Sequence, residues 1–172
     1  MTLKECYQLL RDSNLNTAQA CGILANIEAE SACNENALGD LKDGKYTSYG
    51  LCQWHGVRWE RLQAYAGMVT SIPPDVQINW MKIEMQKYYP KTWELLNATP
   101  DDKDGAAKLA YYFCYNYEVP SKRAEKSEKR AKRAAELFEM FYQAPISLDQ
   151  ILDQALNKII EAEEILRSWK KQ

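Results

Sequence analysis

The feature that most constrains this chain is a period. Apolar residues recur every three to four positions along most of its length, the repeat of amphipathic helices. One segment breaks it. Residues 34–50, NENALGDLKDGKYTSYG, lose the period and contain Leu-Gly-Asp and Lys-Asp-Gly-Lys. Asp-Gly is the strongest short hairpin signal, so two or three short strands are expected around Asp43-Gly44. Helices are expected over roughly 2–12, 17–31, 56–67, 76–89, 91–97, 103–117 and 121–142. Asn16 or Thr17 would cap the second, and Asp75 the helix after Ser-Ile-Pro-Pro. The expected class is α+β, mainly helical, with one small hairpin inserted early.

The end of the chain reads differently. Ala144-Pro145 interrupts the helical pattern, and Ser-Leu-Asp-Gln (147–150) has the form of a capping box. Leu148, Leu152, Ala155, Ile159, Ala162, Leu166 and Trp169 then follow a strict 4-3 spacing, a heptad pattern on a C-terminal amphipathic helix. The expected organisation is a domain over 1–143 and an appended helix over 144–172. Residues 147–170 can pack on their own domain, on a second copy, or on another partner.

Composition removes several classes. With 172 residues, 46% of them apolar, the chain can build one real core. No stretch approaches the roughly 20 apolar residues that span a bilayer, so no membrane insertion is expected. The segment MTLKECYQLLRDSN lacks the apolar centre of a secretory signal. Synthesis in a cytosol without general export is the reading that follows. The cysteines are Cys6, Cys21, Cys33, Cys52 and Cys114. Their odd number and the lack of a Cys-x-x-Cys pair favour free thiols over disulfides or zinc. Cys52 and His55, three residues apart, are a weak candidate catalytic pair. His55 is the only histidine, and neither a metal nor a cofactor is expected. A net charge of −2 gives no global attraction to nucleic acid. Residues 121–133 nonetheless hold seven Lys/Arg against two Glu. Glu125–Lys129 and Glu128–Lys132 have the i,i+4 spacing of a solvated helix face; a surface that meets polyanions is the alternative.

The chemistry concentrates where the second expected helix runs into the hairpin. Its inner stripe is Ala20, Ile23, Leu24, Ile27 and Ser31. Glu30 falls on one edge of that stripe and Glu28 on the other, so periodicity alone does not choose between them. Both stand in the last turn, where the helix dipole disfavours negative charge. A carboxyl kept protonated in this way suits a general acid. Asp40 and Asp43 follow on or near the hairpin. Asp40 is the better second carboxylate, because Asp43 heads the tight turn and an Asp there usually caps it. Thr47 and Ser48 can hold a water. Tyr49 and Trp54 offer flat aromatic faces on which a ligand ring can stack, or serve as core. Tyr111, Tyr112, Tyr115 and Tyr117 should be mostly core.

Four pieces of this chain carry a family likeness. They are Gly22-Ile23 with Asn26 and Glu30-Ser31; Asn34; Tyr49-Gly50-Leu51-Cys52-Gln53-Trp54 with Arg58; and Phe113, Tyr117, Glu118 and Pro120. In this order and spacing, over roughly residues 5–142, the chain resembles the phage tail lysozyme family of the lysozyme-like superfamily. Ala32-Cys33 stands where the family usually has Gly-Phe, and no proline follows Asn34. The resemblance implies a lysozyme-like fold with its hairpin beside the catalytic helix. It implies cleavage of the β-1,4 bond between N-acetylmuramic acid and N-acetylglucosamine in peptidoglycan glycan strands, with Glu30 as the acid. It places Gln53 along the cleft, where an amide suits an N-acetyl group. It leaves Glu118 either at the cleft or bracing helix ends. Action at the bacterial cell wall, as an endolysin or on a phage tail, would follow. A lytic transglycosylase using the same Glu, and a non-catalytic wall-binding or assembly module, are the competing readings.

Overall fold

The computed structural model describes residues 1–69, 71–142, 152, 156 and 158–160. The chain separates into two compact units, Met1–Phe141 and Tyr142–Gln172. In the second, residues 152, 156 and 158–160 are helical, with Leu152, Leu156, Ile159 and Ile160 exposed. Leu148, Ala155, Ala162, Leu166, Trp169 and the capping box at 147–150 lie outside the described residues.

The first unit runs α1 (Leu3–Asp12), α2 (Thr17–Ser31), β1 (Leu38–Lys42), β2 (Lys45–Tyr49), β3 (Trp54–His55), α3 (Val57–Tyr65), α4 (Pro74–Tyr88), α5 (Pro90–Ala98), α6 (Lys103–Phe113), a single π-helical turn (Cys114–Glu118) and α7 (Arg123–Phe141). The α+β, mainly helical class is as the periodicity implies. No described helix is long and apolar enough to cross a membrane.

Local chemistry sets the boundaries. Thr2 and Glu5 form a capping box on α1, and Asn16 and Gln19 form one on α2, so Asn16 rather than Thr17 is the cap. Asp102 caps α6 through the Gly105 amide. Asp75 is not the cap expected of it. Helix α4 opens on Pro73-Pro74, whose fixed backbone suits a first turn, and Asp75 lies inside that turn. The Asp43-Gly44 turn is as read: φ is positive at both residues and Lys42 pairs with Lys45, the geometry of a two-residue hairpin. Trp54-His55 pairs with Ser48-Tyr49 as a third antiparallel strand, giving the order β1-β2-β3. Nor is the expected helix over 103–117 continuous. It ends at Phe113 and gives way to the π-helical turn.

Helix α2 is the axis of the core. Every residue from Ala20 to Ile27 is buried, so the helix has no solvent face there and the two-edge picture of its stripe holds only for its last turn. It packs against α1, α6 and α7. Gly22 permits the approach to α6: a Cβ there would meet the Ala106 carbonyl and Leu109 at 3.0 Å, and such overpacking typically costs about 1–3 kcal/mol. Asn26, fully buried, donates to the Gly22 carbonyl at 3.0 Å and to the Ala110 carbonyl at 3.1 Å, tying α2 to α6. All five cysteines are buried and free. His55 is exposed on β3 while Cys52 is sealed in the core, so the two do not form a catalytic pair.

Candidate active site

Glu28 and Glu30 stand where α2 emerges from the core. Ala32 then caps the helix in the left-handed region, at φ 52°, and Cys33 follows at φ 60°. A glycine would hold the first of these positions at lower cost. The chain turns there towards the sheet.

Both carboxylates meet α7. Arg130 donates to Glu30 at 3.0 Å, with side-chain exposures of 14% and 21%. Arg133 holds Glu28 in a two-pronged bond at 2.7 and 2.8 Å. The basic run is therefore not simply a solvated face or a polyanion surface. Two of its arginines turn inward to the end of α2. Lys129–Glu125 is the expected i,i+4 pair, at 2.7 Å, and Arg123 lies over the Tyr115 ring, 4.0 Å from its centroid.

On the sheet, Asp40 and its neighbours form a compact polar group. The Ser48 hydroxyl donates to the Asp40 carboxylate at 2.7 Å, and the Thr47 hydroxyl donates to the Asp40 carbonyl at 2.7 Å. Asp40 itself is exposed, at φ 51°. Gln53 is half-buried beside it. Its amide donates to the Gly50 carbonyl at 3.0 Å, and its Oε1 would lie 2.0 Å from a Cβ on Gly39. Gly39 faces Ser48 across the hairpin. Asp40, Ser48 and Gln53 are thus brought to one region of the sheet, and glycine at 39 makes room for the last.

Tyr49 follows Ser48, so strand alternation sends it to the other face. There it stacks on Trp59, centroids 4.6 Å apart, and helps wall a cavity of about 310 Å³ with Leu38, Asn36, Ser71 and Gln77. Tyr49 therefore does not share the Asp40 face. Trp54 is not a sugar platform. It is fully buried, and its indole N–H donates to Glu84 at 2.9 Å. Of the four tyrosines from 111 to 117 only Tyr117 is core; Tyr112 is exposed and Tyr111 stacks on Tyr115.

Glu118, at the end of the π-helical turn, is half-buried. Its Oε1 is sealed from solvent and has no hydrogen-bond partner among the described residues. Burial, with the Glu30 charge adding to it, pushes the carboxyl up to about 8; Arg58 and a hydrogen bond with Cys52 oppose the rise. Between its ordinary 4.5 and about 8 the folded chain therefore holds a proton that the unfolded chain has lost. This group favours folding most below 4.5 and progressively less as pH rises to 8. Glu118→Gln should remove that slope. Thermal melts of the variant at pH 5 and pH 8.5 should lie closer together than those of the wild type, with a relative gain at pH 8.5 on the order of a few kcal/mol.

Two residues escaped the sequence reading. Glu84 is fully buried and binds Arg58 through both oxygens at 2.9 Å, together with Trp54 and, at 2.5 Å, the Tyr117 hydroxyl. Its signal was a carboxylate three residues after Met81 and just before Met85, on the inner stripe of α4. Gln77 accepts from the Leu51 amide at 2.9 Å and donates to the Ile72 and Glu35 carbonyls. It pins the Gly50-Leu51 bend at the foot of the sheet. Among the described residues no group of three or more His, Cys, Asp or Glu is placed to hold a metal ion.

The family model described as phage tail lysozyme matches residues 1–141. No curated relative matches the chain. The match covers most of the sequence, including the end of α2, the sheet and the π-helical turn. The chain belongs to the phage tail lysozyme family, and with it to the phage lysozyme-like peptidoglycan hydrolases.

Proposed function

We propose that this protein is a muramidase that hydrolyses the β-1,4 bond between N-acetylmuramic acid and N-acetylglucosamine, with Glu30 as general acid. The observation that carries the reading is Glu30 itself. It is a partly buried carboxyl at the mouth of the most buried helix, within a chain of this family. A protonated Glu30 would give its proton to the leaving glycosidic oxygen as positive charge develops on the sugar ring. Arg130, which pairs with the carboxylate, would have to release it for that proton to be held. Asp40 serves as the second carboxylate, facing the cationic sugar or activating water, with its orientation fixed by the Ser48 hydroxyl. Gln53 contributes an amide to an N-acetyl group from the same region of the sheet. The substrate partner is the glycan strand. Use on a phage tail accords with the family, and residues 147–170, with their heptad spacing, are a candidate contact for a second copy or a tail component.

The test is turbidity clearing of purified peptidoglycan, with mass spectrometry of the released fragments. Hydrolysis should leave a reducing N-acetylmuramic acid end. A 1,6-anhydro end would make the enzyme a lytic transglycosylase, and wall binding without any soluble fragment would make it a non-catalytic module. Either result overturns the proposal.

A further inference from the structure

The face of the sheet opposite Ser48 and Gln53 holds a cavity that the cleavage reaction does not use. Its volume is about 310 Å³, at the small end of ligand sites. Leu38 pairs with Tyr49 across the hairpin, so both side chains leave the sheet on this face. Tyr49 and Trp59 form an aromatic wall, a stacked pair with centroids 4.6 Å apart and planes 20° from parallel. Asn36, Ser71 and Gln77 bring polar atoms to the lining.

These walls are fixed before a ligand arrives. Gln77 is buried and accepts from the Leu51 amide at 2.9 Å. It donates to the Glu35 carbonyl at 2.9 Å and to the Ile72 carbonyl at 2.8 Å. One side chain thus ties together the segments around Glu35, Gly50 and Ile72, which carry most of the lining. The Ser71 hydroxyl adds a bond to Asn36 Oδ1 at 3.1 Å. A preformed site avoids part of the ordering cost of binding.

The lining suits an uncharged ring with one apolar face and a polar rim. An aromatic wall takes the C–H face of such a ring. Asn36 gives its Oδ1 to Ser71, and its two N–H donors have no partner among the described residues. Ser71 keeps lone pairs to accept with. Donors beside an acceptor match the carbonyl and N–H of an N-acetyl group. No Lys or Arg is among the described residues that line the cavity. The charged side chain in the lining is Glu35, 3.6 Å from the N-terminal ammonium. A carboxylate on the ligand would therefore find a like charge in the lining and no cation.

We propose that this cavity is a second carbohydrate site, which takes one N-acetylglucosamine residue of the wall glycan. It prefers that sugar to N-acetylmuramic acid, whose lactyl group adds bulk and, when free, a negative charge. The proposal rests on peptidoglycan being the partner, and not on which carboxyl is the acid. The cavity and the Asp40–Ser48–Gln53 group lie on opposite faces of the sheet, so a strand bound at one leaves the other free. Two weak contacts on one body hold it at the wall longer than either alone.

The experiment is an NMR titration of the full chain, carrying Glu30→Gln, that follows the Trp indole and the Asn and Gln side-chain N–H signals. The probes are the monosaccharides N-acetylglucosamine and N-acetylmuramic acid. Spectra of Trp59→Phe and Asn36→Ala identify the signals of those two residues. N-acetylglucosamine should shift both, and N-acetylmuramic acid should bind roughly tenfold more weakly. Asn36→Ala, at an exposed position, should weaken the response at Trp59 roughly three- to tenfold and leave the response at Gln53 unchanged. Trp59→Ala should remove binding at this site; if that variant unfolds, Asn36→Ala decides. Shifts at Gln53 with Trp59 and Asn36 unmoved would overturn this site and leave the cleft standing. Shifts at Trp59 and Asn36 alone would support it and displace the glycan from the proposed cleft. Equal affinity for the two sugars, an Asn36→Ala variant that binds like its parent, or no shift at all would overturn the proposal.

Discussion

Glu30→Gln should abolish clearing of peptidoglycan, with a loss of about 10²–10⁴-fold, the range removed with a general acid. Glutamine keeps the shape and can still accept from Arg130, but it has no proton to give. The fold should tolerate the change. The Glu30–Arg130 pair keeps some contact with solvent, at 21% and 14% exposure, so its loss should cost less than the roughly 3–5 kcal/mol of breaking a fully buried pair. Glu28→Gln is the matched control. Its carboxylate lies two residues away, also in the last turn and also held by an arginine of α7. It should keep nearly full activity and lose a similarly small amount of stability. Initial clearing rates at matched protein concentration, with melting temperatures of all three proteins, give the comparison. Substantial clearing by Glu30→Gln, or loss of clearing only in Glu28→Gln, would reassign the acid.

The choice between these two residues shows where sequence reasoning ran out. The helical period located α2, its cap at Asn16 or Thr17 and the two acids at its end, because those depend on local spacing and on residues three or four apart. The Asp43-Gly44 hairpin was legible for the same reason: φ must be positive at both turn positions, and few residue pairs accept that. Long-range pairing was not legible. Nothing in Arg130 or Arg133 distinguishes them from the other basic residues of 121–133 until α7 is laid against α2. Trp54 looked equally suited to core or sugar because its fate depends on Glu84, 30 residues on. The face occupied by Tyr49 follows from strand register, which needs both strands. Glu118 required the π-helical turn, an insertion that the apolar period does not announce.

The other large effect belongs to the buried pair of Arg58 and Glu84. Arg58→Met should destabilise the fold by about 3–5 kcal/mol, the cost of leaving a buried charge without its partner. Glu84 is fully buried and receives four hydrogen bonds: two from Arg58, one from Trp54 and one from Tyr117. Burial alone would raise its pKa; Arg58, Tyr117 and Trp54 outweigh burial and hold it below its ordinary 4.5. A carboxyl lowered in this way contributes stability that is present above 4.5 and is lost as pH falls through its folded value. Arg58 also stacks on the Tyr117 ring, 4.3 Å from its centroid, and donates to the Tyr117 carbonyl at 3.3 Å. It thereby joins α3 and α4 to the turn that positions Glu118. At roughly 2–4 °C per kcal/mol for a chain of this size, the variant should melt roughly 6–20 °C lower at pH 7. The gap should narrow on acidification, because a protonated Glu84 no longer needs the guanidinium. Adding Glu84→Met to Arg58→Met removes the orphaned charge, so the double variant should be more stable than Arg58→Met alone. A double variant that loses the sum of the two single losses would mean that Arg58 and Glu84 stabilise the fold independently, through packing, and that their ion pair does not organise this side of the molecule.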